Sequence, residues 1–283
     1  EQHAGARGEW PVIAPHRHPE AEAADRTAVS GDAPTAGGVR AFIRRDLALL
    51  RRNSASLISM FVVPPLFLLC LVGVFGYSAE ESGVDYLRYM LAGCIFQAGM
   101  FTSSASAMAV AHDVESGILD RVRLVPGALA GFLTGRLVVD MVRMTASTVT
   151  LFIVARLCGL SLRWSEYGLT LLWGLVAALV LCLITDGWIV LLDKPVAAAA
   201  SVQSFEMLLF LCSTAFIPAI ALSGALRAVI EHMPFSPIIA VIRNVLTHEL
   251  SRGGTIEAMT WIVALGSVGI ALIVKRFSGR SAT

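Results

Sequence analysis

Six stretches of this chain stay apolar around the whole helix for roughly the 20 residues that a bilayer crossing needs. They run near 55–76, 87–111, 137–160, 167–192, 196–218 and 257–274. A helix on the surface of a soluble bundle keeps a polar stripe, and these stretches have none. No alternation of apolar and polar residues is long enough for the strands of a membrane barrel. Only 15% of the residues are charged, against about 25% in a soluble domain. The expected fold is an all-α membrane protein with six transmembrane helices.

Orientation follows from where Lys and Arg sit in the short loops. Arg40, Arg44, Arg45, Arg51 and Arg52 precede the first stretch. Arg121, Arg123 and Arg136 lie between the second and third, Lys194 between the fourth and fifth, and Lys275, Arg276 and Arg280 after the last. The opposite side has Arg88, Arg163, Arg227, Arg243 and Arg252 spread over three loops. This bias predicts cytoplasmic termini. Ahead of the first stretch, Val39, Phe42, Ile43, Leu47 and Leu50 recur at helical spacing, with the five arginines mostly on the other side. Such a segment is expected to lie on the cytoplasmic leaflet as an amphipathic helix with its arginines at the headgroups.

Residues 1–38 are rich in Ala, Pro, Glu, His and Gly and hold almost no bulky apolar side chains. They are expected to form a disordered tail, with no apolar core of the kind a signal peptide carries; residues 39–283 then form the transmembrane domain. Cys70, Cys94, Cys158, Cys182 and Cys212 each stand inside an apolar run, without a second ligand at metal spacing. A phosphate-cradling loop needs Gly-Lys-Ser/Thr. The two lysines, Lys194 and Lys275, stand in Asp-Lys-Pro and Val-Lys-Arg. No nucleotide is expected to bind this chain through that motif, and no metal or other cofactor is expected in it.

The most informative polar stretch runs from His112 to Pro126. Ser116-Gly117 breaks the helix arriving from the second stretch, and Pro126-Gly127 ends the next piece. Between them a short amphipathic helix is expected, with Ile118, Leu119 and Val122 on one side and Asp120, Arg121 and Arg123 on the other. It is too short to span and too charged for lipid, and it suits a knob that docks on a soluble partner.

This segment resembles the conserved stretch of ABC-2 type permeases, in which an acidic-basic-Glu-x-Gly run is followed by Thr/Ile-Leu-acidic and a later Pro. Asp113, Glu115, Gly117, Ile118, Leu119, Asp120 and Pro126 match in register, with Arg121 beside them; Val114 departs from the usual Arg or Lys. A second similarity begins at Phe216-x-Pro218 and continues through Pro234-Phe235-Ser236 to Arg243. There Met233 stands for the usual Asn, Pro237 for Tyr, and Ser223-Gly224-Ala225 for Pro-x-Trp. The resemblance covers the chain from about Val39 onward, and is nearest to daunorubicin-resistance-type and mycobacterial lipid-export permeases.

The resemblance implies that the 113–126 segment contacts a separate ATPase subunit, which binds ATP and Mg. It also implies that Phe216 to Arg243 forms short re-entrant helices on the outer side, between helices five and six. A second permease subunit, as homodimer or heterodimer, and membrane lipid complete the implied partners, with no nucleic acid. The implied function is outward export of an amphipathic drug, lipid or glycolipid across the plasma membrane.

Polar residues within the bilayer are costly and mark function or helix pairing. Gln97 in the second stretch, and Gln203 and Glu206 in the fifth, are candidates for a pathway or subunit interface, with a packing hydrogen bond as the alternative. Arg136, Asp140 and Arg143 fall at helical spacing, so that one carboxylate can bridge two guanidiniums. An intramembrane enzyme would need a clustered nucleophile and base; only His112, Asp113 and Glu115 come close. A secondary transporter is the stronger alternative, but it is expected to show internal repeats and coupling carboxylates in both halves, and these halves show neither.

Overall fold

A computed structural model describes residues 40, 42–48, 58, 61–81, 85–124, 128–215, 224–248 and 251–278. In chain order its helices are α1 (Val63–Glu81), α2 (Tyr86–Glu115), α3 (Ile118–Arg123), α4 (Ala128–Leu157), α5 (Trp164–Ile189), α6 (Pro195–Leu211), α7 (Gly224–His232), α8 (Phe235–Thr247) and α9 (Arg252–Ser278). Residues 42–48 are helical as well. All regular structure among the described residues is helical, and the chain is a multi-pass membrane protein.

Among the described residues, four helices are long and apolar enough to cross a membrane: Tyr86–Glu115, Gly131–Leu157, Trp164–Ile189 and Arg252–Arg276. Val63–Tyr77, Pro195–Leu211 and Phe235–Thr247 are shorter apolar helices. The sequence expectation for the first and fifth stretches extends to 55–57 and 216–218, which lie outside the described residues, as do the tail 1–38, Arg51, Arg52, Pro126, Phe216 and Pro218.

The bundle is built around α2, which touches α1, α3, α4, α5, α6 and α8. Its 30 residues make a rod of about 45 Å. Tyr89 to Met100 are buried without interruption, so this helix is the core rather than a lipid-facing wall. Small residues allow that: Ala, Gly and Ser carry no long side chain to hold neighbours off, and backbones come close. By contrast α9 exposes Ile256, Val263, Val268, Ile270 and Val274, the pattern of a helix whose outer face meets acyl chains.

Apolar packing falls into two clusters. The larger gathers Met90, Leu91, Ile95, Phe96, Met144, Leu151, Phe210, Ile239 and Ile242; the smaller gathers Val110, Ala111, Leu119, Val122, Phe132, Ile189 and Val190 near the α3 end. Along α2 the run Thr102, Ser103, Ser104 and Ser106 separates the two, and all four are buried. Thr102 donates back to the Ala98 carbonyl at 2.9 Å, which satisfies its hydroxyl within the helix. The other three serve the sites described below.

At the opposite end, α7 and α8 form a helical hairpin. The 13 residues of α8 span about 20 Å, short of the roughly 30 Å hydrocarbon layer. It is nevertheless deeply packed, with Phe235, Ile238, Ile239, Val241, Ile242 and Leu246 buried. Pro234 stands at its N-terminal cap. Arg243 holds the hairpin down: its guanidinium stacks on the Tyr89 ring at 3.6 Å, and both Arg243 and Tyr89 donate to the Thr214 carbonyl at 2.7 Å.

Candidate functional site

Two polar places emerge within the apolar bundle. The first lies at its base. After Glu115 the chain turns at Ser116 and Gly117, and Gly117 takes φ +70°, a left-handed conformation that a Cβ makes costly. The turn starts α3, whose Leu119 and Val122 face the base of the bundle while Asp120 and Arg121 are exposed. Ile118 is half-buried. At its C-terminal cap Leu124 is 83% exposed, a large apolar side chain that the sequence reading did not single out. The side chain of Glu115 points out as well, and its carboxylate lies 3.4 Å from the Val196 amide that opens α6.

Asp113 behaves differently from its neighbours. It is 5% exposed and turned inward, where it accepts from Arg45 of the N-terminal helix and from Arg136 of α4, the latter at 3.0 Å. Arg45 therefore points into the protein, whereas Arg40 and Arg44 are exposed. Phe42 reinforces the contact, meeting Phe132 edge-on with ring centroids 5.6 Å apart. Burial pushes the Asp46 carboxyl above its ordinary range, against the pull of the Arg136 and Arg45 guanidiniums.

The network continues inward through Ser106. Arg136 donates to the Ser106 carbonyl at 2.8 Å and to its Oγ at 3.2 Å. That Oγ lies 2.7 Å from Asp140 and 2.9 Å from Asp186, so its single hydrogen serves one carboxylate at a time. Arg143 pairs with Asp140 at 3.1 Å. Helical spacing suggests that Asp140 bridges Arg136 and Arg143. Instead Arg136 crosses to α2, because Asp113 and the Ser106 carbonyl offer it two acceptors there, and Ser106 becomes the link to Asp140. Charge in this place is thus laced across the N-terminal helix, α2, α4 and α5.

The second place is a groove of about 570 Å³ between α2 and α6. Gln97, Gln203 and Glu206, singled out separately in the sequence, all line it, together with Met100, Phe101 and Ser104. Glu206 is 4% exposed. Its carboxylate meets Ser103 Oγ at 2.6 Å and Ser104 Oγ at 2.9 Å. Both serines lie in an apolar stretch 103 and 102 positions from Glu206, a separation at which no local spacing pattern signals a pair.

The described residues thus form a multi-pass helical bundle with a short charged helix at the end of its central rod and a polar-edged groove beside that rod. Residues 38–247 match the ABC-2 type transporter family, and the chain belongs to that family. It is similar to a daunorubicin resistance ABC transporter permease protein of Streptomyces coeruleorubidus, 22% identical over 207 residues that cover 71% of this chain and 72% of the relative. No solved structure matches the chain.

Proposed function

We propose that this protein is the membrane-spanning subunit of an ATP-driven exporter that moves an amphipathic or lipid-like substrate outward across the plasma membrane. ATP and Mg bind a separate ATPase, and a second permease subunit completes the pathway. The observation that carries this reading is the α3 knob. Its apolar side packs on the base of the bundle, while Leu124, at 83% exposure, turns a large apolar side chain outward and Glu115, Asp120 and Arg121 are exposed beside it. The relative's name, a drug-resistance permease, supports the substrate class.

In this reading α1 and α6, extended by their flanking residues, are the first and fifth of six spans. The Lys/Arg-rich ends, including α3, face the cytoplasm, and the α7–α8 hairpin is re-entrant on the outer side. ATP-driven closure of the ATPase pushes on Glu115 to Pro126. Asp113, directly before that segment, passes the push through Arg45 and Arg136 to the N-terminal helix and α4. The groove holding Gln97, Gln203 and Glu206 then lies on the export path.

Co-purification tests this. The full chain is expected to bring down a P-loop ATPase, and Leu124→Glu or Glu115→Lys to weaken that contact while leaving the fold intact by size exclusion. ATP-independent transport by the purified chain alone overturns the reading in favour of a secondary transporter.

A further inference from the structure

Among the described residues, no cation stands beside the buried Glu206 carboxyl in the α2–α6 groove. Glu206 is 4% exposed, and its described partners are two serine hydroxyls. One of these is already shared: Ser103 Oγ has a single hydrogen, yet lies 2.9 Å from the Met100 carbonyl and 2.6 Å from Glu206. A carboxylate offers about four acceptor positions, so capacity remains for a donor. Gln97 lies in the same wall, 1% exposed, and its amide oxygen has no hydrogen-bond partner. Among the described residues no Lys, Arg or His lines the groove. Arg136 and Arg143 of α4 pair with Asp113 and Asp140.

A buried carboxylate short of donors is compensated best by a cation that brings its own N–H groups. Beyond Gln203 and Ser204 the remaining wall is apolar and soft, with Met100, Phe101, Met207, Leu208 and Leu211, and methionine adapts to ligands of varied outline. A volume of about 570 Å³ lies within the range of organic-ligand pockets. We propose that this groove binds the ammonium headgroup of a cationic amphiphile, with Glu206 as counter-ion, Gln97 as a second acceptor and the apolar tail along the methionines and leucines. A second copy of the chain is a poorer occupant. The exposed face of α1, with Leu66, Leu69 and Val74, offers a second copy only apolar side chains at those positions.

The inference rests on reading the groove as the export path, and the test separates the two. Full-length permease in detergent micelles is titrated with a dansyl-labelled long-chain alkylamine and with matched probes ending in a hydroxyl or a carboxylate. The amine is expected to bind about tenfold or more tightly than the alcohol, as an ion pair at reduced dielectric implies. Glu206→Gln, which keeps the shape and one acceptor, levels amine and alcohol; Glu206→Asp retains the preference. Gln203→Lys places a competing cation one turn away and lowers amine affinity with Glu206 still present, which guards against a folding artefact in the first variant. Equal binding of all three probes to the unaltered protein overturns the cation site while leaving the groove as a path for amphiphiles. If no probe binds and Leu208→Cys cross-links to a second copy, the groove is a subunit interface, and both readings fall.

Discussion

Replacing Asp113 by Asn removes the charge on which two arginines converge while keeping the side chain's outline. The Arg136 pair is the larger contribution: at 3.0 Å, with side chains 5% and 8% exposed, it belongs to the buried class. Stripping one partner from such a pair costs about 3–5 kcal/mol, because the other charge is left uncompensated. Arg45 is a quarter exposed and its share is screened to about 1 kcal/mol or less. Asn retains one carbonyl acceptor and recovers roughly 1 kcal/mol, and the two bonds from Arg136 to Ser106 survive. The net loss is then about 2–4 kcal/mol. SDS-driven unfolding in mixed micelles, followed by tryptophan fluorescence, measures it. The double variant with Arg136→Gln is expected to fall short of the summed single losses by about 1–3 kcal/mol. If the single losses simply add within about 0.5 kcal/mol, Asp113 and Arg136 do not act as a pair, and the proposed route from the knob into the spans is wrong.

Other outcomes follow from the packing and from the opposite end. A Cβ at Gly269 of α9 would stand 2.6 Å from the Leu183 backbone carbonyl of α5, and one at Gly187 would stand 2.6 Å from the Gly269 carbonyl. Gly269→Ala must therefore drive the two helices apart by about 0.8 Å and is expected to cost about 1–3 kcal/mol in the same unfolding assay. Gly73→Ala on α1, where a Cβ meets nothing, is expected to be neutral or stabilising by up to about 1 kcal/mol. At the hairpin, His232 lies 2.7 Å from Glu257 of α9, and that bond and charge raise its pKa above 6.5. A raised value means that the link is complete below 6.5 and is lost as pH rises through the raised value. Amide exchange in α7 is expected to gain an extra rise across that window, absent in His232→Ala.

Much of this architecture was legible in hydropathy, because a bilayer demands long apolar helices whatever their neighbours are. The break at Ser116-Gly117 and the short helix after it were legible too, since a glycine followed by a two-sided pattern dictates both locally. What sequence could not supply was pairing across elements. Asp113 reads as part of a polar, outward segment with Glu115 and Asp120, yet standing two residues before Glu115 puts it about 200° around α2, facing Arg45 and Arg136. Ser103, Ser104 and Ser106 read as small packing residues, and their hydroxyls gain meaning only when Glu206, Asp140 and Asp186 arrive from other helices. The close approach of α5 and α9 at Gly187 and Gly269 likewise joins residues far apart in sequence.

The most direct test of the central claim is the accessibility of Leu124, at the tip of the α3 knob, from each side of the membrane. With Leu124→Cys in a background lacking the native cysteines, a membrane-impermeant maleimide is expected to label inverted vesicles and spare right-side-out ones. Adding the partner ATPase trapped with nucleotide is expected to protect that thiol. Labelling from the outer face, or labelling that the bound ATPase leaves unchanged, contradicts the account.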